Sequence, residues 1–338
     1  MFTSKIISDK NLWEKFLLNS SQCTFLQSWN WGVFHLSLGR QIFRLGLFSS
    51  GRLQGLVLLI KVRAKRATYL ECPGGPVIPW ENQKAVKFIF QEIKNLAKQE
   101  SAVFVRIRPN ILRTSAPLQL IKELGLIKAP MHLHAETTWE LNLEQSEETI
   151  QKNMRKTTRW EINKARRLGV EVVSSTELED VRLLYGLQLE AARRHRFVPF
   201  SQEYLSKQFL AFKKDNQIRL FKAVYQGKVL AVSFIIFYGQ EAVYHYSGSA
   251  DEMGQVPASA ALQWQAILTA KNLGLKRYNF WGVAEGNNPR HRFFGVTLFK
   301  KGFGGEAVAY LPAQDLVIRS SYWLNWLVET LRRRVRRL

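Results

Sequence analysis

Cysteine is nearly absent from this chain of 338 residues, which contains only Cys23 and Cys72. Because no C-x-x-C pair occurs, neither a disulfide framework nor a cysteine-rich zinc site is indicated. His132 and His134 have no acidic or cysteine ligand cluster beside them, so we expect no metal site. This cysteine usage fits a reducing compartment, and we expect the protein in the cytoplasm.

Long apolar runs are also missing. The longest, such as Leu56 to Ile60, cannot cross a bilayer, and the segment from Met1 to Lys10 lacks the apolar core of a signal peptide. Low-complexity tracts and long Pro/Ser linkers are absent too, whereas 46% of the residues are hydrophobic. The chain therefore has enough apolar side chain to build the cores of two domains.

Acidic residues are scarce relative to basic ones. The 49 Lys and Arg against 27 Asp and Glu leave a formal net charge of +22. A charge of this size favours polyanionic partners. Nucleic acid, phosphorylated metabolites and an anionic membrane surface all satisfy that interpretation, and a merely solvated basic surface is the plain alternative.

Two segments of similar design predict an internal duplication. Apolar stretches flank a turn at Gly51, and the same pattern returns at Gly227, which is 176 residues later (227 minus 51). Each predicted β-hairpin is followed by a strand, a helix and another strand. The last of these strands begins at Val103 in one segment and at Arg277 in the other, 174 residues apart. Two landmarks with nearly equal offsets predict a repeated α/β unit.

These patterns predict an α/β (α+β) fold of two tandem domains with mixed β-sheets flanked by helices. We place the junction near Ala135, because Thr138 to Leu143 opens a new strand before a basic helix. The segment after Leu311 is expected to pack back onto the first half. The predicted domains are residues 1–135 together with 311–338, and residues 136–310.

The first of three basic segments covers residues 151–167. Its apolar positions recur at helical spacing, which predicts one helix with a packed face and a cationic face. The cations of that face are suited to gripping phosphates, Arg in a bidentate manner and Lys as a point charge. A solvated basic helix is the alternative. The packed positions are Met154, Thr158, Ile162 and Ala165, and the cations are Lys152, Arg155, Lys156 and Arg159.

The second basic segment runs from Thr297 to Gly305. Aromatic residues flank Lys300 and Lys301 beside glycines, which permit a backbone to approach a ligand closely. The alternative interpretation is a strand end followed by an ordinary turn.

The third basic segment begins at Tyr322 and predicts an amphipathic helix. Five arginines lie between Arg332 and Arg337. Such a helix suits an anionic membrane surface, contact with tRNA, or simple packing with a charged outer face. Its apolar stripe consists of Leu324, Leu327, Val328, Leu331 and Val335.

Five short segments, in this order and spacing, together resemble one known family. They are Phe25-Leu-Gln-Ser-Trp-Asn-Trp-Gly32, Gly75-Pro-Val77, Lys156-Thr-Thr-Arg159, Tyr278-Asn-Phe-Trp-Gly282 and Phe299-Lys-Lys-Gly-Phe-Gly304. The family they resemble is the Fem family of peptidoglycan-bridge aminoacyltransferases. The resemblance implies two domains similar to Gcn5-related acetyltransferases. It also implies aminoacyl-tRNA as co-substrate, with no cofactor, and lipid II or UDP-MurNAc-pentapeptide as acceptor.

By position, the resemblance assigns catalysis to Phe299 and Lys300. An acceptor amine attacks an ester carbonyl in this reaction, so the site must orient both substrates and stabilise the developing oxyanion. The resemblance therefore implies that Lys300 acts on the oxyanion or on the tRNA end, with Lys301 as the nearby alternative.

The resemblance also implies an acceptor-phosphate site. Arg159 matches an arginine of the family's basic helix that holds these phosphates, with Lys156 as an assistant. His35 stands where some relatives carry a phosphate-binding lysine, so either His35 is a weak substitute for it or the choice of acceptor differs. A long coiled-coil hairpin of some members is absent from this chain.

Two other functions remain open at this point. An acetyltransferase-like half suggests acyl-CoA-dependent N-acyl transfer, although no Gly-rich pyrophosphate loop leads into a helix. A non-catalytic basic adaptor for RNA or membrane would show salt-sensitive binding and no turnover.

Overall fold

The computed structural model describes residues 1–195, 198–250, 255–286, 289, 291 and 293–336. The chain forms two compact units, of which the first comprises residues 1–136 with 309–338 and the second residues 137–308. The sequence placed these bounds at 135 and 311. The C-terminal segment lies in the first unit.

The helices and strands are numbered in chain order. Residues 1–136 contain β1 (Phe2–Ile6), α1 (Lys10–Leu18), α2 (Trp29–Ser37), β2 (Ile42–Ser49), β3 (Arg52–Arg63), β4 (Thr68–Gly74), α3 (Gln83–Gln99), β5 (Phe104–Pro109), α4 (Ser115–Glu123) and β6 (Ile127–Lys128). They are followed by β7 (Thr137–Asn142), α5 (Glu147–Asn153), α6 (Lys156–Leu168), β8 (Glu171–Ser175), α7 (Val181–His195), α8 (Gln202–Lys213), β9 (Ile218–Tyr225), β10 (Lys228–Tyr238), β11 (Glu241–Ser249), α9 (Ala258–Asn272), β12 (Arg277–Gly282), α10 (Phe294–Lys301) and β13 (Glu306–Ala309). The chain ends with β14 (Gln314–Val317) and α11 (Tyr322–Arg336).

Both predicted hairpins are present and have the same two-residue loop. Ser50 and Gly51 join β2 to β3 with φ angles of 49° and 76°, and Gln226 and Gly227 join β9 to β10 with 49° and 75°. Positive φ at both loop positions matches the twist of the paired strands, and glycine tolerates it at no steric cost. The repeated glycine is therefore explained by the turn.

The two sheets have equivalent strand orders. The first sheet runs β1-β2-β3-β4-β5-β14-β6, and the second, read from its other edge, runs β8-β9-β10-β11-β12-β7-β13. In each sheet a helix connects a parallel pair, α3 between β4 and β5, and α9 between β11 and β12. Antiparallel neighbours surround these pairs, so both sheets are mixed. The predicted order of hairpin, strand, helix and strand is confirmed.

Each sheet is completed by a strand that follows the other repeat. Strand β7 comes directly after the first repeat and pairs with β12, whereas β14 comes directly after the second repeat and pairs with β5. Their first residues are 177 positions apart (314 minus 137), which agrees with the offset of the hairpins. This exchange explains why the first unit needs the C-terminal segment.

The long basic helix predicted over residues 151–167 is instead two helices. Met154 and Arg155 have ψ angles of 153° and 148°, which end α5 and precede α6. The predicted packed positions are nevertheless buried. The correction places Lys152 on a different helix from Lys156 and Arg159. None of the helices among the described residues has both the length and the apolar character needed to cross a bilayer.

Candidate active site

The parallel strands β11 and β12 separate part way along their length. Among the described residues their pairing ends at Val243 and Asn279, after three pairs, whereas β4 and β5 pair over five. The Asn279 side chain lies where the strands part, because its Nδ2 donates to Glu241 Oε1 at 2.9 Å and its Oδ1 accepts from Trp281 N at 2.7 Å. Trp281 has a φ of 64° there. In the part of the chain that the structure describes, the second unit thus has an opening between its parallel strands, whereas the parallel strands of the first unit stay paired to their ends.

The amine of Lys300 lies beside this opening. Lys300 is the last residue but one of α10, its Nζ donates to Gly282 O at 2.6 Å, and it lies 5.8 Å from the centre of the Tyr244 ring. The carbonyl belongs to β12 and the ring to β11. One turn earlier on α10, Thr297 Oγ1 accepts from Ala284 N at 2.9 Å, which fixes the helix against the chain that leaves β12.

Burial changes the protonation of this lysine. Lys300 is only 7% exposed, and this burial lowers the pKa of its amine from 10.5 to about 7 because an ammonium loses hydration in the interior. The amine is therefore divided between its charged and neutral forms near neutral pH. A negative charge arriving beside it would favour the charged form, and in a site with little water that charge interacts strongly with a developing oxyanion.

The glycines after Lys301 are required by contacts within the protein. A Cβ on Gly302 would lie 2.4 Å from Thr158 Oγ1, and one on Gly305 would lie 2.3 Å from Glu140 O. Gly304 and Gly305 also have φ angles of 82° and 89°. These glycines therefore approach the chain itself, at the Thr158 side chain and the Glu140 backbone, and an approach to a ligand stays a prediction. The alternative of a strand end is wrong, since a helix precedes the turn.

This turn brings two of the predicted basic segments together. Arg155 N donates to Gly302 O at 2.9 Å, so the junction between α5 and α6 lies against the end of α10. Lys152, Arg155 and Lys156 are exposed. Lys301 Nζ lies 5.4 Å from the centre of the Trp139 ring, and Trp139 Nε1 donates to Gly304 O at 2.6 Å. The cations of both segments thus surround the same loop.

Arg159 binds the carbonyl end of α5 at this junction. Its Nη1 donates to three carbonyl oxygens at the end of α5, those of Gln151 at 3.2 Å, Lys152 at 2.9 Å and Met154 at 2.6 Å. The last carbonyls of a helix have no partner within it, so a guanidinium here satisfies them and complements the helix dipole. The predicted phosphate contact of Arg159 therefore has to use other guanidinium atoms.

Phe299 precedes Lys300 on α10 and is only partly buried. Its ring lies 5.2 Å from that of Phe303, in an edge-on arrangement, and Phe303 is fully buried against Phe280 of β12. Phe299 thus helps to hold α10 on the sheet. Its contacts are those of a positioning residue.

His35, to which its position gives a phosphate-binding role, is a buried side chain. It is 3% exposed on α2 in the first unit, 5.0 Å from the Trp31 ring, and Arg40 Nη1 lies 3.1 Å from its Nδ1. Burial, and then the charge of Arg40, lower the pKa of the imidazole to about 3. The imidazole is therefore neutral at neutral pH, so a phosphate contact by His35 would use a neutral N–H rather than a cation, and this role stays a prediction.

Several residues of the site were missed by the sequence interpretation. Tyr244 and Trp139 carry the rings beside Lys300 and Lys301, and the Gly282 carbonyl holds the Lys300 amine. Gly282 and Asn279 both lie in the segment from Tyr278 to Gly282, so the resemblance pointed to them without a role. Tyr244 and Trp139 look like ordinary strand aromatics, and only the fold reveals their neighbours. Among the described residues, no group of three or more His, Cys, Asp or Glu side chains is arranged to hold a metal ion.

Solved structures with low sequence identity share this fold. The crystal structure of FemX matches with a TM-score of 0.86 at 16% identity, over 97% of this chain and 100% of that one. A tandem GNAT protein from the clavulanic acid biosynthesis pathway matches with a TM-score of 0.58 at 12% identity, over 94% of this chain and 98% of that one. These matches show a fold of two tandem acetyltransferase-like domains, which confirms the predicted fold class.

The family follows from the sequence comparison. A model described as the FemAB family matches residues 9–119, 125–224 and 218–329, and the chain belongs to this family. Over 82 residues it is 33% identical to "Aminoacyltransferase FemA" of Staphylococcus aureus (strain MW2). That alignment covers 24% of this chain and only 20% of the length of the curated relative. The family predicted from the five sequence segments is thus confirmed.

Proposed function

We propose that this protein is an aminoacyltransferase that builds the peptidoglycan interpeptide bridge. It moves an amino acid from aminoacyl-tRNA to the stem-peptide amine of a precursor, lipid II or UDP-MurNAc-pentapeptide. The observation that carries the proposal is the buried amine of Lys300 at the opening between β11 and β12. Membership of the FemAB family supports the class of reaction.

The proposed reaction is a direct attack on an ester. The acceptor amine forms a C–N bond with the aminoacyl carbonyl carbon, the ester C–O bond breaks, and the terminal ribose oxygen of tRNA leaves and takes a proton. The amine gives up a proton in the same exchange, so no covalent enzyme intermediate and no cofactor are needed. Lys300, in its charged form, stabilises the oxyanion or holds the tRNA end, and orientation of the two substrates supplies much of the remaining acceleration.

The proposed phosphate contacts lie around the loop from Gly302 to Gly305. Its neighbours Lys152, Arg155 and Lys156 are exposed, and Lys301 lies beside the Trp139 ring. We include Arg159 through the guanidinium atoms other than Nη1, which is engaged with α5. Both proposed substrates carry phosphates, so this arrangement of charge suits either. We place the reaction in the cytoplasm, where charged tRNA is available.

The test is a transfer assay that compares charged with uncharged tRNA. The protein is incubated with a mixture of charged tRNAs and either acceptor, and the acceptor is analysed by mass spectrometry. A mass increase of one amino acid that disappears when the tRNA is uncharged supports the proposal. Lys300→Met is expected to abolish the increase while the melting temperature shows a folded protein. Lys276→Met, which removes an exposed lysine of the same unit, is the matched control and is expected to retain activity.

Two results would contradict this proposal and favour a different function. Turnover of acyl-CoA without tRNA would favour the acyl-CoA-dependent N-acyltransferase, a reaction compatible with the tandem acetyltransferase fold. Salt-sensitive binding of RNA or membranes without turnover of any donor would favour a non-catalytic adaptor.

A further inference from the structure

Helix α11 attaches to the first unit through its polar side. Tyr322 is fully buried and donates its hydroxyl hydrogen to Asp315 Oδ2 at 2.9 Å. Seven residues later, Glu329 Oε2 accepts from Arg106 Nη2 at 2.7 Å. Arg106 also holds both oxygens of Asp315 at 2.8 Å. A spacing of seven residues puts Tyr322 and Glu329 on one face of the helix, so the inward face is the one that carries hydroxyl and carboxylate groups.

The apolar side of α11 faces solvent instead. Five large apolar residues on this helix are between 51% and 84% exposed. Their spacing places them on one stripe along the helix, which we call the apolar stripe. A surface helix ordinarily turns such a stripe toward the core, because burial of apolar area stabilises the fold. The residues of the apolar stripe are Trp323, Leu324, Leu327, Leu331 and Val335.

Positive charge flanks the apolar stripe on both sides. At about 100° per residue, Arg332 lies on one side of the line through Leu324 and Leu331, and Arg334 lies on the other, and both are exposed. Long basic side chains beside an apolar face extend toward lipid phosphates while the apolar residues enter the acyl region. Tryptophan suits the boundary between the two regions because its ring is apolar and its N–H is polar.

We propose that α11 docks this protein on the surface of an anionic lipid bilayer. The apolar stripe enters the headgroup boundary, Arg332 and Arg334 contact lipid phosphates, and the helix lies in the plane of the surface. Helix α11 packs with its polar face inward and leaves the apolar stripe exposed, which suits lipid. The arginines on both flanks and the net charge of +22 suit an anionic surface. This docking does not depend on the reaction proposed for Lys300.

The experiment is flotation of the full chain with lipid vesicles. One set is phosphatidylcholine alone and the other contains about 30% phosphatidylglycerol, an anionic lipid of the kind that attracts clustered basic residues. We expect binding to the anionic vesicles, weakened by raised salt because exposed charges are screened, and little binding to the neutral set. Equal binding to both sets would overturn the proposal.

Two combined variants separate the apolar and electrostatic contributions. Replacing Leu324, Leu327 and Leu331 by Gln is expected to lower vesicle binding at least about tenfold, since each leucine loses its burial in lipid. Replacing Arg332 and Arg334 by Gln is expected to lower it about fivefold for each arginine. The matched control replaces Leu36, Leu112 and Leu273 by Gln. These leucines are exposed to a similar extent outside α11, and the control is expected to bind like the unaltered chain. Melting temperatures identify any variant that fails to fold.

Two outcomes contradict the docking. Unchanged binding by the folded triple leucine variant would exclude the apolar stripe as the lipid contact. A dimer in light scattering that separates when the stripe is replaced, together with no vesicle binding, would make the stripe an interface between two copies of this chain.

Discussion

The ionisable amine of Lys300 is buried, where its charged form loses hydration. Its hydrogen bond to Gly282 O and the nearby Tyr244 ring fix the amine at the opening of the second sheet, while burial brings its pKa to about 7. An amine with this pKa can gain a proton when negative charge appears and lose it when that charge departs. We therefore infer that the burial of Lys300 serves the chemistry rather than the stability of the fold.

The role of Lys300 predicts a particular pH dependence. Burial lowers the pKa of this amine, so the ammonium is lost as the pH rises through about 7. After division by the deprotonated fraction of the acceptor amine, which is titrated separately, kcat/KM of the unaltered protein is expected to fall by about tenfold per pH unit above that value, because kcat/KM reports ionisation of the free enzyme. A corrected kcat/KM that rises through pH 7 would instead identify Lys300 as a base.

The glycine turn after α10 predicts a loss of stability at one position. Gly305→Ala would place a Cβ 2.3 Å from Glu140 O at a φ of 89°, so we expect the free energy of unfolding to fall by more than about 2 kcal/mol. Gly274→Ala has a similar φ of 75° with nothing within 4 Å and is expected to cost about 1 kcal/mol. Urea unfolding measures both. Equal losses would show that the contact with Glu140 is unimportant.

Single residues show where sequence interpretation succeeds and fails. Lys300 was found through resemblance, but nothing in the sequence around it indicates its burial or its contact with Gly282. His35 was assigned from its position after two tryptophans, and the sequence did not indicate that the imidazole is buried beside Arg40, because the fold supplies these neighbours. The sequence suggested that Arg159 is available to bind phosphate, whereas its Nη1 donates to carbonyl oxygens at the end of α5.

At the scale of elements, a buried ion pair links the end of the chain to the first sheet. Arg106 on β5 holds Asp315 on β14, which in turn binds Tyr322 on α11. Without the Asp315 carboxylate, Arg106 would keep only its ion pair with Glu329 and would lose two charge-assisted hydrogen bonds. Asp315→Asn is therefore expected to lower the free energy of unfolding by about 2 kcal/mol, measured by urea unfolding. Glu203→Gln, which removes an exposed pair with Lys207, is the control, and an equal effect of the two variants would contradict this account.

Local elements were predicted well and their partners only in part. The helix that follows each hairpin and strand, and both hairpins themselves, were predicted from spacing and turn chemistry, which act over a few residues. The break at Met154 was missed because its burial continues the helical pattern across the break. The exchange of β7 and β14 between repeats was not visible in the pattern, because strand pairing joins residues far apart in sequence.

At the scale of the whole molecule, the two units share one architecture and differ at the parallel strand pair of each sheet. Both sheets have equivalent strand orders, yet the parallel pair is open beside Lys300 in the second and paired over five residues in the first. The positive charge also has identifiable locations, around the loop from Gly302 to Gly305 and along α11. We therefore propose one transfer site per chain, in the second unit.

The most direct measurement of this claim is a single-turnover transfer assay with charged tRNA and a peptidoglycan precursor. The unaltered protein and Lys276→Met are expected to add one amino acid to the acceptor, with loss of the aminoacyl group from tRNA in equal amount. Folded Lys300→Met is expected to leave both substrates unchanged. Full transfer by Lys300→Met, or no transfer by the unaltered protein from any charged tRNA to either acceptor, would contradict the account.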